Sequence, residues 1–183
     1  DNAELQIQGV TNLVRLEARN ANTEGKLAIT IRDLIRTALR MRPNRLIVGE
    51  CRGAEALDVL QAMNTGHDGS LSTGHANSCR DMLSRLETMV LMGMELPLTA
   101  IRSQIASGID VLVHLGRMRD GSRKILAITE LAEYKDGEIR LNDMYRFEES
   151  GKSGHCVEGS LRHVGTLEHT EKLKRAGVTA EEI

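Results

Sequence analysis

Residues 45–50 read Arg45-Leu46-Ile47-Val48-Gly49-Glu50, and this stretch decides the fold. Leu46, Ile47 and Val48 form a continuous apolar run, the pattern of a strand covered on both faces, as in a parallel sheet. A carboxylate placed straight after such a strand stands at its carboxyl end, the edge where ligands bind in open α/β sheets. Upstream, Thr30 and Asp33 form a capping-box pair, and Ile31, Leu34, Ile35, Ala38 and Leu39 give the following helix an apolar stripe that Pro43 ends. Further back, Leu13 to Ala18 reads as a short strand and Asn20 to Leu27 as a loop.

Downstream, a helix is expected from Gly53 to Met63, with Ala56, Leu57, Leu60 and Met63 inward. A Gly-rich turn, Asn64 to Gly69, leads to a second short strand, Ser70 to His75. Ser78 and Asp81 cap a helix with the stripe Met82, Leu83, Leu86, Met89 and Val90, and Pro97 opens another carrying Leu98, Ile101 and Ile105. The pattern then changes. Asp110 to Arg117, Arg123 to Glu133 and Glu138 to Arg146 read as three strands joined at the turns Asp120-Gly121 and Asp136-Gly137. Alternating strands and helices that give way to a meander predict an α/β core with an antiparallel β extension over residues 1–150. Residues 151–183 read as a polar tail with a short helix near His169 to Arg175.

The composition is that of an ordinary globular chain of 183 residues, 40% hydrophobic and 27% charged, with a formal net charge of -2. That balance, with no Trp, one Phe and two Tyr, argues against a nucleic-acid binder. Of the 24 basic residues 18 are Arg, whose planar forks suit phosphates and subunit interfaces. Cys51, Cys79 and Cys156 are odd in number and widely spaced, as in a reduced protein. No apolar run approaches the ~20 residues of a membrane span. The chain begins with Asp1 rather than Met and is read as a piece of a longer protein.

Three constellations bear on chemistry. Glu50, at a strand's end, has the position of a Walker B acid, able to hold Mg²⁺ through its water shell or to orient a water; alone, an acid after an apolar run is more often a solvated strand-end residue. His75 falls at the second strand's end, where an imidazole can donate to a phosphate; the plainer reading is a hydrogen bond to backbone. Cys51, Cys79, His67 and His75 lack zinc spacing, so structural zinc is not expected and the two cysteines read as packing residues. A Ser-His-Asp hydrolase lacks its GxSxG elbow.

The runs TIRDLIRTALRMRPNRLIVGECRGAEALDVLQAMNTGHDGSLSTGHANS and SRLETMVLMGMELPLTAIRSQIASGIDVLVHLGRMRDGSRKILAITEL resemble the secretion-superfamily ATPases of type II and type IV secretion and type IV pili. Within these, the resemblance is to the branch that assembles tight-adherence (Flp-type) pili. It implies the C-terminal part of a RecA-like P-loop NTPase core. Glu50 matches the family's Walker B acid and His75 its His-box histidine. Asp1 and Glu4, in Asp1-Asn2-Ala3-Glu4-Leu5, match the end of an acidic Asp box. Arg15 and Arg19 match arginines near the phosphates or a subunit boundary, and Arg52 belongs to the Walker B signature. No GxxxxGK[ST] occurs in the 183 residues, so the cradle for the β- and γ-phosphates is missing from them.

The resemblance implies a motor that hydrolyses ATP with Mg²⁺ in a cytoplasmic hexamer at the inner membrane. It would act on a secretion or pilus platform protein, without nucleic acid. By itself this chain is expected to hydrolyse ATP poorly or not at all. The alternative is a non-catalytic oligomerisation or platform-docking module.

Overall fold

A computed structural model describes residues 5–20, 28–153 and 156–179 of the chain, without the side chains of 152 and 153. Asp1, Glu4 and most of the Asn20 to Leu27 loop lie outside the described residues. The chain divides into two compact units, one of Asp1–Ala76 with Met82–Gly108, the other of Asn77–Asp81 with Ile109–Ile183.

The first unit is built on a parallel strand pair, β1 (Ile47–Val48) and β2 (Leu71–Ser72), in the register Ile47 to Leu71 and Val48 to Ser72. Helix α1 (Ile31–Arg40) opens with the full capping box: the Thr30 hydroxyl accepts from Asp33 N, and the Asp33 carboxylate accepts from Thr30 N. Helix α2 (Ala56–Met63) is the core element. Ala56, Leu57, Asp58, Val59, Leu60 and Ala62 are all buried, so it is covered almost all round rather than along one stripe, and Met63 is not among its buried residues. The buried Asp58 carboxylate is matched from α1, by Arg32 Nε at 2.6 Å and Arg36 Nε at 3.2 Å. Helices α3 (Cys79–Gly93) and α4 (Leu98–Gly108) bring Leu86, Met89, Val90, Ile101 and Ile105 into this core.

Glycines set how α3 lies against the loops. A Cβ on Gly93 would come within 2.9 Å of the Ala54 carbonyl, and one on Gly74 within 2.6 Å of the Met82 methyl group. The helix therefore runs from the end of the β2 segment to the loop before α2, in contact at both places.

The second unit is a four-stranded antiparallel sheet of β3 (Val111–Arg117), β4 (Arg123–Lys135), β5 (Glu138–Ser153) and β6 (Cys156–His163), in that order. Asp136 and Gly137 both have positive φ, 52° and 81°, as a tight primed hairpin turn requires. The β3–β4 turn is longer: Met118 N donates to Ser122 O, Gly121 N donates to Met118 O, and Gly121 takes φ 84°.

Two expectations need correction. Leu13 to Ala18 forms no strand; the described residues there are irregular, and the nearest pairing is an isolated bridge between Arg19 and Ile29. A strand needs a neighbour for its backbone groups, and apolar composition cannot supply one. The meander has four strands instead of three, because β5 runs on to Ser153 and β6 follows within the stretch read as tail. The short terminal helix, α5, spans Glu171–Arg175. Among the described residues no helix is long and apolar enough to cross a membrane.

Candidate functional site

Both strands of the parallel pair leave the sheet at the same edge, and the residues that come after β1 meet those that come after β2. Thr73 Oγ1 donates to Gly49 O at 2.5 Å, and Cys51 N donates to Thr73 O at 2.8 Å. These two bonds extend the pairing past the strands. They place Glu50, after β1, beside His75, after β2: His75 Nε2 lies 3.1 Å from Glu50 Oε1. The other carboxylate oxygen, Oε2, is paired with Arg52 Nη2.

The three side chains differ in access. Glu50 is 14% exposed, whereas His75 is 80% and Arg52 61% exposed. The acid is thus held at the floor while Arg52 and His75 reach it from solvent. The Glu50 carboxyl is held below its ordinary value, first by the Arg52 hydrogen bond. Burial works the other way and is outweighed by that bond together with the charges of Arg52, His75 and Arg85.

The loop between β1 and α2 is fixed from within. Glu55 Oε1 accepts from Arg52 N at 2.6 Å and Gly53 N at 2.9 Å, so the Arg52 backbone is tied down while its side chain reaches Glu50. Cys51 is buried and its thiol is pushed up to about 12, by burial and then by Glu55 and Glu50. A thiol so far from ionising is a packing group, as its residue type and position suggested. His67 is likewise structural: its Nδ1 donates to Ala62 O at 3.1 Å, and its own carbonyl accepts from Ser70 Oγ at 2.7 Å.

The structure therefore brings Glu50, His75 and Arg52 together. Arg15 is placed elsewhere, donating to Ile7 O at 2.9 Å, and the Arg19 backbone exchanges hydrogen bonds with Ile29 at 2.9 and 2.8 Å. Neither is among the cations that depress Glu50. Arg85, on the exposed side of α3, is a cation that sequence reasoning missed. It belongs to no motif, and only the packing of α3 against Gly74 and Ala54 brings it near Glu50.

An acid with one oxygen on an imidazole and the other on a guanidinium, at the carboxyl edge of a parallel pair, can orient a water or accept its proton. A lone hard oxygen ligand also suits a magnesium ion held through its water shell.

Comparison with known proteins bears on the whole first unit. The family described as type II/IV secretion system protein matches residues 1–135. A putative conjugal transfer protein of Mycobacterium tuberculosis is 46% identical over 122 residues, 67% of this chain and 34% of its own length. The type IV secretion system protein PtlH of Bordetella pertussis is 37% identical over 143 residues, 75% of this chain and 41% of that protein. Among solved structures, the VirB11 ATPase of the Brucella suis type IV secretion system, crystallised in complex with sulphate, matches with a TM-score of 0.53 at 37% identity. That match covers 56% of this chain and 32% of the other. The chain spans about a third of the length of the Mycobacterium relative.

Proposed function

We propose a function from one premise: this chain belongs to the type II/IV secretion system protein family, matched over residues 1–135. It is the portion of an ATP-hydrolysing motor that carries the hydrolytic acid, in a RecA-like core whose phosphate-binding loop lies in another part of the intact protein. The observation that carries this reading is the Glu50 carboxylate at the strand edge, held by Arg52 and by His75 at 3.1 Å.

In this reading Glu50, kept ionised chiefly by Arg52, orients the attacking water and accepts its hydrogen bond. Magnesium, when bound, would neutralise charge on the phosphates, and Glu50 would face it through the ion's water shell. His75, exposed and attached to the neighbouring strand end, would register the loss of the terminal phosphate through its contact with Glu50, 3.1 Å away. Arg52 balances the charge of Glu50 when no substrate is present. The Asp-box residues Asp1 and Glu4 and the arginines Arg15 and Arg19 complete the site only in this proposal.

The intact protein would work as a hexameric ring in the cytoplasm against an inner-membrane platform, driving secretion or pilus assembly. Two relatives support secretion in their names, PtlH and the VirB11 ATPase. The test is ATP hydrolysis by the intact protein with Glu50→Gln. Turnover is expected to fall by about 10² or more with nucleotide binding retained. Undiminished turnover in that variant would rule out Glu50 as the hydrolytic acid.

A further inference from the structure

Beside the Glu50 edge, the Arg52 loop and the exposed side of α3 border an open cleft of about 420 Å³, lined by Arg52, Ser84, Arg85, Thr88, Met89 and Met92. Two guanidinium groups from different elements share its wall, while Met92 supplies an exposed apolar side, with the core residue Met89 behind it. The Thr88 hydroxyl is already committed to Ser84 O at 3.1 Å. The carboxylates closest in sequence are committed as well, Glu50 to Arg52 and His75, and Glu55 Oε1 to the Arg52 and Gly53 amides. The cleft thus presents the Arg85 charge, and the Glu50-paired Arg52, next to the adaptable Met92 thioether. Arg52 belongs to two places at once. It pairs with Glu50 and it lines this cleft.

We propose that the cleft receives a carboxylate side chain with an adjoining apolar side chain from a partner protein, and that this carboxylate draws Arg52 off Glu50. Glu50 is then released for water or metal, so docking of the partner primes the site; this last step rests on the reading of Glu50 as the hydrolytic acid. Arg52 is 61% exposed while its partner Glu50 is 14% exposed, so a second carboxylate reaches the guanidinium from solvent and competes for it. Arg85 is the anchor that makes the competition favour the cleft, because it adds a second fork without being shared with the Glu50 hydrogen bond. Met92 distinguishes this occupant from a bare anion. Met92 is 66% exposed, and Met94 and Leu98, just beyond it in sequence, are half-exposed too, so an apolar side chain next to the acid finds surface to cover.

The experiment uses the intact protein without nucleotide and a fluorescein-labelled peptide of alternating leucine and glutamate, with fluorescence polarisation as the readout. The expected result is saturable binding that is lost when the glutamates of the peptide are replaced by glutamine. Arg85→Glu should weaken it about tenfold or more, as reversal of a contact charge does. Met92→Ser should weaken it as well. Glu50→Gln should tighten it several-fold, because the Glu50 charge no longer competes for Arg52, and a merely structural Arg52 would not produce that coupling.

The proposal is overturned by absence of binding, by binding indifferent to Arg85→Glu, or by an unchanged or weaker affinity in Glu50→Gln. Displacement of the peptide by equimolar inorganic phosphate would also overturn it, as a plain anion site. Binding is read here without ATP, whereas failure of the hydrolytic reading shows as turnover indifferent to Glu50→Gln, so the two failures are distinguishable.

Discussion

His75 Nε2 stands 3.1 Å from Glu50 Oε1, although the two residues come after different strands and α2 lies between them in sequence. The approach is a consequence of parallel register: Val48 faces Ser72, and the hydrogen bonds of Thr73 with Gly49 and Cys51 carry the alignment one step further. Replacing His75 by Ala tests what the contact does. The side chain is 80% exposed, so folding stability should change by less than about 0.5 kcal/mol. ATP turnover of the intact protein should nevertheless fall by roughly tenfold or more. Thermal melting and steady-state hydrolysis, measured on the same preparation, check the two halves of this statement.

The Asp58 ion pairs should matter to folding. The carboxylate is buried and is neutralised by Arg32 and Arg36. Asp58→Ala leaves a polar void at the α1–α2 contact and removes the anchor of α1, and should cost about 2–3 kcal/mol in chemical denaturation. Arg36→Ala should cost less than about 1 kcal/mol, because that arginine is 62% exposed and Arg32 keeps its shorter bond.

Gly93 and Gly74 should respond differently to alanine. At Gly93 the new Cβ would meet a backbone carbonyl, Ala54 O at 2.9 Å, and backbone must move. A loss of about 1–3 kcal/mol is expected, as for overpacking elsewhere. At Gly74 the closest atoms belong to the end of the Met82 side chain, which can swing away. Its replacement should cost less than half as much, and denaturant midpoints of the two variants decide the order.

Acid should loosen the second unit through Asp120. Its carboxyl is pulled down to about 2 from an ordinary 3.8, first by the Val157 backbone N–H, then by the Ser122 hydroxyl and N–H. A value depressed in the folded state means that the contribution is present above the ordinary value and is lost as pH falls toward the folded one. Asp120→Asn should therefore lower the melting temperature above about pH 4, and the difference from the unaltered chain should shrink as pH approaches about 2. A difference that grows on acidification would contradict the assignment.

Glu130 should be the most sensitive position of the sheet. Burial pushes its carboxyl up, but the backbone N–H groups of Glu168 and His169 and the Asn142 amide outweigh it and hold the carboxyl below its usual value. Glu130→Ala leaves those two backbone donors unmatched and should destabilise by about 2–4 kcal/mol. Hydrogen exchange of the Glu168 and His169 amides should accelerate in the same variant.

The elements that the sequence revealed are those with a strong local signature. The capping box at Thr30, the apolar run before Glu50 and the Asp136-Gly137 turn each need only neighbouring residues to be read. Strand β6 was hidden because Cys156–His163 mixes charged residues with Gly159, a poor strand former. The glycine has a reason visible only in space: a Cβ there would lie 2.5 Å from the Glu148 carbonyl of β5. Leu13 to Ala18 erred in the opposite direction, since its residues suit a strand but no partner strand accompanies them among the described residues.

The sequence by itself determined the family, the order of strands and helices from Thr30 onward in the first unit, and the candidates Glu50, His75 and Arg52, because periodicity, turn chemistry and motif spacing are properties of contiguous residues. Only the tertiary structure decided that His75 and Arg52 take opposite oxygens of one carboxylate, that Arg15 is held at Ile7, and that Arg85 joins the site from α3. Those relations depend on strand register and on how closely Gly93 lets a helix approach, and neither is encoded in any local stretch of the chain.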